Sequence, residues 1–172
     1  MTRIRRVAVY GGSFDPLTIG HTWMIEEGSR LFDRLIVALG VNPEKRYTFS
    51  VEERLSMLRV STGHLRNVEV ASIGNQFLIS YAKSARATHI LRGIRSESDY
   101  EYERVMRNIN GDLGREITTV FLMPPRNIAE VSSSMVKGLI GPSGWEKVVK
   151  EYVPDAVFAC LVKGQNARTA KR

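Results

Sequence analysis

The chain has 172 residues, 43% of them hydrophobic and 25% charged, which suits one globular domain and excludes a low-complexity or fibrous polymer. A net charge of +7 raises the question of nucleic acid, yet seven cations crowd the ends: Arg3, Arg5, Arg6, Lys163, Arg168, Lys171 and Arg172. The other 18 basic residues balance 18 acidic ones, and no basic stripe interleaved with aromatics marks a nucleic-acid surface.

Cys160 is the single cysteine, which excludes an internal disulfide and suits a reducing cytosol. No apolar run approaches the length of a signal peptide or a membrane helix. The expected location is the cytoplasm, with neither membrane nor nucleic acid as partner.

The first predicted strand is Val7–Tyr10. It runs into Gly11-Gly12-Ser13-Phe14-Asp15-Pro16-Leu17-Thr18-Ile19-Gly20-His21, and a helix over about 20–32 follows. Strand, glycine turn and helix make a place for an anion. Glycines leave the backbone open to close approach, and a helix start offers unpaired N–H groups. His21 stands in the first helical turn, facing that anion.

A second strand, Leu35–Leu39, leads into Asn42-Pro43-Glu44-Lys45-Arg46, and a helix over 50–62 opens with the capping box Ser50 and Glu53. Val68–Ile73 predicts the third strand and 77–86 the third helix. Thr88–Leu91 is the fourth strand, running into Arg92-Gly93-Ile94-Arg95. The helix over 98–113 opens with a second capping box, Ser98 and Glu101. Thr118–Leu122 is the fifth strand, and it leads through Pro124-Pro125-Arg126-Asn127 to Ser132-Ser133-Ser134. Short helices follow at 132–139, 143–151 and 154–162. Residues 164–172 lack periodicity and read as a disordered basic tail behind a domain spanning 1–163.

Alternating strands and helices imply an α/β fold: a single-domain, Rossmann-like open parallel sheet with helices on both faces. Ligands of such sheets bind beyond the carboxyl ends of the strands. Four polar segments from distant parts of the chain converge there, which reads as a polyanion site. No Gly-x-x-x-x-Gly-Lys-Ser/Thr and no Gly-x-Gly-x-x-Gly occurs at the first turn, excluding a P-loop enzyme and a dinucleotide dehydrogenase.

Within that edge, Arg92 offers a planar fork for a phosphate and Lys45 a mobile point charge. Ser132, Ser133 and Ser134 combine hydroxyls with a helix start, a cradle for a triphosphate. Asp99, Glu101 and Glu103 read as an acidic first helical turn, with Glu103 a candidate ligand. His64 and His89 are isolated in sequence and read as structural; nothing suggests a metal site.

Thr18-Ile19-Gly20-His21 is similar to the (H/T)-x-G-H signature of nucleotidyltransferases. Together with Arg92-Gly93-Ile94-Arg95 and Asp99-Tyr100-Glu101-Tyr102-Glu103, the chain resembles the bacterial-type phosphopantetheine adenylyltransferase family over about residues 5–161. The resemblance implies transfer of AMP from ATP to 4′-phosphopantetheine, with Mg²⁺ as cofactor and a homohexameric assembly. It implies that His21 stabilises the transition state, that Ser13 binds both substrates, and that Lys45 and Arg92 hold the acceptor phosphate. Leu78 would line the pantetheine arm. Phe14, Gly93, Ile94, Arg95, Glu103, Ile128, Ala129, Glu130, Val131 and Ser132–Ser134 would hold ATP.

The chain departs from the family's usual Thr at Ser13, Pro at Gly11, Asn at Ile19 and Glu at Thr118. It also has Gly138 and Gly141 where many members carry Glu and Arg, and one extra residue around 74–77. Two alternatives stay open at this point: a nicotinamide mononucleotide adenylyltransferase, and a non-catalytic nucleotide- or RNA-binding module.

Overall fold

β1 (Val7–Gly12), β2 (Arg34–Gly40), β3 (Val68–Gly74), β4 (His89–Gly93) and β5 (Thr118–Leu122) form one parallel sheet in the order β3-β2-β1-β4-β5. This computed structural model describes residues 5–169. The helices are α1 (Ile19–Leu31), α2 (Val51–Thr62), α3 (Leu78–Ser84), α4 (Glu97–Leu113), α5 (Ser133–Leu139), α6 (Trp145–Val149) and α7 (Asp155–Thr169). The expected architecture is therefore the observed one.

β1 and β2 are apolar along almost their whole length because both of their faces are covered. Ala8, Tyr10, Leu35, Val37 and Leu39 point to one face and pack with residues of α1, α2 and α7. Val7, Val9, Ile36 and Ala38 alternate to the other face, where Ile79 and Ala82 of α3 meet them. The chain winds outward from β1 on one side and from β4 on the other. The strand order thus reverses between β1 and β4, and the crevice beyond their carboxyl ends is the natural ligand position.

Three local expectations need correction. Gly11 and Gly12 belong to β1 and not to a turn. A Cβ on Gly11 would lie 2.7 Å from the Leu78 side chain, so glycine lets Leu78 of α3 pack closely against β1. The cap of α4 is Ser96, whose hydroxyl accepts the Asp99 N–H; Ser98 lies inside the helix and bonds Ser96 through its hydroxyl. The backbone over 164–169 continues α7 where a tail without periodicity was expected. Residues 170–172 of that expected tail lie outside the described residues.

Candidate active site

Two adjoining cavities open at the carboxyl edge of β1 and β4. The larger, of about 370 Å³, is lined by Ser13, His21, Arg92, Gly93, Arg95 and Glu103, together with Val131 and the three serines 132–134. The smaller, of about 250 Å³, is lined by Ser13, Lys45, Leu78 and Arg92 among others. Gly11, Gly12, Ser13 and Arg92 face both, forming the wall that the two cavities share. Segments as far apart as Ser13 and Ser134 thus come together as the polar strand exits implied.

Five expected residues line neither cavity. Phe14 is buried beneath the site, with its ring set edge-on to His21 and Tyr10 at 5.3 and 5.6 Å. The Ile94 N–H donates to the Leu122 carbonyl, tying the exit of β4 to β5. Ile128 is buried and its carbonyl accepts the Val131 N–H, so Ile128, Ala129 and Glu130 form the turn before the serines.

His21 is oriented by Thr18. The Thr18 N–H donates to His21 Nδ1 at 3.1 Å, and the Thr18 hydroxyl lies 2.8 Å from the same nitrogen. Nδ1 is therefore the acceptor, which puts the proton of a neutral ring on Nε2. Burial, reinforced by the Arg95 charge, pushes the His21 pKa down to about 4. At neutral pH the ring is uncharged and presents an N–H donor. The histidine takes the place of the Glu or Gln that usually completes a capping box.

Each arginine of the site rests on a carboxylate of α4. Arg92 Nε lies 3.0 and 2.9 Å from the two Glu103 oxygens, Nη2 bonds the same group, and Nη1 donates to the Gly11 carbonyl at 3.1 Å. Burial opposes the Arg92 charge, but the Glu103 contacts prevail and raise its pKa above the ordinary value. Glu103 is buried and faces β4, so the acidic-first-turn reading does not account for it. Arg95 bonds Asp99 through its backbone N–H at 3.1 Å and through Nε at 2.9 Å.

The serines divide in role. The Ser132 hydroxyl caps α5 by accepting the Met135 N–H, and the Ser133 hydroxyl donates to the Pro16 carbonyl, fastening this segment to the first motif. Among the described residues no hydrogen bond engages the Ser134 side chain. His89 is structural as expected, its Nδ1 2.7 Å from the Thr88 hydroxyl and its ring against Phe32. Among the described residues no group of three or more His, Cys, Asp or Glu could hold a metal ion.

Several contributors escaped the sequence reading. Tyr10 lines the larger cavity, with its phenol pushed up to about 12 by burial against the pull of Arg92 and Arg95. Asp15, 2% exposed, accepts the N–H groups of Thr48 and Phe49 and pairs with Lys137 at 3.1 Å. One carboxylate thereby joins the first motif, the loop after Lys45 and the helix after the serines. The strand exits announced the segments, but no local pattern announces a pair 122 residues apart.

A family model described as Cytidylyltransferase-like matches residues 9–139. The phosphopantetheine adenylyltransferase of Chromobacterium violaceum is 60% identical over 151 residues, covering 88% of this chain and 92% of that protein. The protein of the same name from Neisseria meningitidis serogroup C is 59% identical over 153 residues, covering 89% and 90%. The chain belongs to the phosphopantetheine adenylyltransferase family. A third member, from Caldanaerobacter subterraneus, is 43% identical over 158 residues, covering 92% of this chain and 96% of that protein.

Solved structures agree on the fold. The Plasmodium falciparum nicotinic acid mononucleotide adenylyltransferase complexed with APC superimposes with a TM-score of 0.71, covering 93% of this chain and 96% of that one. A putative nicotinate-nucleotide adenylyltransferase from Vibrio parahaemolyticus gives 0.64, with 94% of each chain covered. At 14% and 17% identity these likenesses speak for architecture alone. This family member thus carries its motifs on the same open sheet.

Proposed function

We infer that this adenylyltransferase joins the phosphate of 4′-phosphopantetheine to the α-phosphorus of ATP, giving dephospho-coenzyme A and pyrophosphate. The observation that carries the reading is the pair of cavities meeting at Ser13 and Arg92. One holds serines and Arg95, fitting a nucleotide triphosphate; the other holds Lys45 and Leu78, fitting an anion at the head of an apolar arm. The family's name supplies the substrates, and two adjoining cavities of different lining support a subsite for each.

The chemistry needs no nucleophilic side chain. An acceptor phosphate oxygen, already anionic at pH 7, bonds to the α-phosphorus while the bond to the bridging α–β oxygen breaks. The electron pair leaves with pyrophosphate. The protein's task is to align the two phosphates in line and to meet the charge that builds on them. In this assignment the His21 Nε2–H donates to the α-phosphoryl group, Arg95 and the serine segment hold the triphosphate, and Lys45 and Arg92 hold the acceptor phosphate. Ser13 stands where it reaches both. A ring uncharged at rest makes His21 a directed donor rather than a fixed cation.

Mg²⁺ is the expected companion of ATP and would supply charge neutralisation on the phosphates. Asp99 and Glu103, the carboxylates facing the larger cavity, are each engaged by an arginine, so the donor set does not form a metal cage. The ion would come with the triphosphate, held through water. A cytoplasmic location suits these substrates, and no helix among the described residues is long and apolar enough to cross a membrane. The hexamer belongs to the same proposal. What supports an assembly is the exposed apolar stripe of Tyr102, Val105, Ile109 and Leu113 on α4.

Pyrophosphate release from ATP, measured separately with 4′-phosphopantetheine and nicotinamide mononucleotide, tests the reading. Release with the first acceptor and none with the second is the expected result. Equal release with both, or release only with the mononucleotide, would reassign the acceptor.

A further inference from the structure

Arg54, in the first turns of α2, is 1% exposed, and no carboxylate pairs with it among the described residues. Its Nη1 donates to the Ser13 carbonyl at 2.8 Å and its Nε to the Ser50 carbonyl at 3.3 Å; its guanidinium carbon lies 4.0 Å over the Tyr47 ring. Burying a cation with only dipoles and a ring for partners is costly, and an apolar side chain would fill the space at less cost. Packing alone therefore leaves the guanidinium unexplained.

The carbonyl it holds explains more. A peptide group is planar and trans, so the carbonyl of Ser13 and the N–H of Phe14 point in opposite directions. With the carbonyl drawn down to the buried guanidinium, the N–H is turned away from it, on a peptide whose first residue, Ser13, lines both cavities. Among the described residues the Phe14 N–H has no acceptor. The next backbone angle is constrained as well, since Phe14 sits at φ +48°, a region that a residue with a side chain seldom adopts unaided. Two features thus act on one peptide: a charged clamp on its carbonyl and an unpaired donor on its other edge.

We propose that Arg54 is a positioning residue for adenylyl transfer. It pins the Ser13–Phe14 peptide so that the Phe14 N–H faces the reacting phosphates, and it adds a fixed positive charge behind that donor. Arg54 touches neither substrate. The Tyr47 ring and the Ser50 carbonyl hold the guanidinium in its plane, so the clamp is geometric as well as electrostatic. This proposal rests on the adenylyltransferase reading.

The test compares the native full chain with Arg54→Lys and Arg54→Ala in three measurements. These are thermal melting, calorimetric ATP binding without acceptor, and turnover with ATP and 4′-phosphopantetheine. An ammonium can reach one carbonyl but cannot reproduce the planar fork. Arg54→Lys should melt as a folded protein yet bind ATP about fivefold more weakly and lose about tenfold in kcat, less than direct removal of a donor costs. Millimolar guanidinium should restore part of the turnover of Arg54→Ala, which a purely structural loss would not allow. Native ATP affinity and native kcat in Arg54→Lys would overturn the proposal. So would activity in Arg54→Ala that merely tracks its folded fraction and ignores guanidinium. Should Arg54→Ala not fold, the lysine variant decides alone. Should the native chain bind ATP but not use phosphopantetheine, the substrate reading fails, and the ATP affinities still decide the role of Arg54.

Discussion

Arg92 and Glu103 meet at the wall of the two cavities, the guanidinium Nε 3.0 and 2.9 Å from the two carboxylate oxygens. The Glu103 side chain is 8% exposed and the Arg92 side chain 25%, so each is the other's main compensation for lost water. The pair links β4 to a helix that buries only this residue among those described. In the proposed assignment it also holds the arginine fork ready for a phosphate.

Replacing Arg92 by Met should leave the Glu103 carboxylate stranded and lower stability by about 3–5 kcal/mol, as breaking a buried pair does. Glu103→Gln in the same background should recover part of that loss, because the stranded charge is gone. Urea unfolding of both single variants and the double variant measures the coupling. Additive losses would show that the two groups are independent.

The same arginine should govern the acceptor. A charge-assisted contact to phosphate is worth about 1.5–3 kcal/mol, so Arg92→Ala should raise the KM for phosphopantetheine by about tenfold or more. The KM for ATP should move much less. Arg92→Lys should also fall short, since an ammonium lacks the two-pronged geometry. The opposite pattern, with ATP weakened and phosphopantetheine untouched, would exchange the two subsites.

His21→Ala should keep the fold and most ATP affinity while losing about 10²–10³ in turnover, the usual effect of removing one oriented donor. The pH dependence is more specific. With the His21 pKa pushed down to about 4, kcat/KM should show no His21 inflection between pH 6 and 7 in the free enzyme. Stability follows the same sign. The unfolded chain takes up a proton below the ordinary histidine value of 6.5, whereas the folded chain refuses it until about 4. Stability contributed by neutral His21 is therefore present above pH 6.5 and declines as pH falls through that window. His21→Gln should flatten that decline; an unchanged slope would assign it to other groups.

How much of this was legible in the sequence depends on the range of the interaction. The central strands β1 and β2 declared themselves through nearly unbroken apolar runs, because both of their faces are buried. The Ser50–Glu53 box marked the start of α2 correctly, since both partners lie within one turn. Ser98 misled because Ser96 offers the same chemistry two residues earlier, and spacing alone does not choose between them. Gly11 looked like a turn glycine, but its constraint comes from Leu78 across the fold. Strand exits placed Ser13, Lys45, Arg92 and the serines on one edge. The clamps that hold that edge, Asp15 with Lys137 and Arg54 with Ser13, carry no local period and needed the fold.

Gly11→Ala tests the packing of the acceptor side. Its Cβ would lie 2.7 and 3.0 Å from the two methyl groups of Leu78, so the leucine must shift within the smaller cavity. Overpacking of this kind costs about 1–3 kcal/mol. The phosphopantetheine KM should rise with little change for ATP. Leu78→Ala in the same chain should restore stability by making room, while leaving the KM raised. Failure of the second change to restore stability would place the strain elsewhere.

The outward face of α4 makes the last prediction. Tyr102, Val105, Ile109 and Leu113 recur at helical spacing and are 45–60% exposed, although this helix has a strong separation of apolar and polar sides. An exposed apolar stripe of that length marks a contact surface. The family reading supplies a second copy of this chain as the partner, so light scattering should return a multiple of the 19.4 kDa chain mass. A carboxylate placed at the middle of such an interface would be desolvated without a partner, at a cost of about several kcal/mol. Ile109→Glu should therefore reduce the scattering mass while circular dichroism keeps its helical signal, because Ile109 is 45% exposed and belongs to neither core cluster. A native chain that scatters at the single-chain mass would remove the assembly from the proposal. If the native mass is a multiple and Ile109→Glu leaves it unchanged, the assembly uses another face, and the α4 stripe needs a different partner.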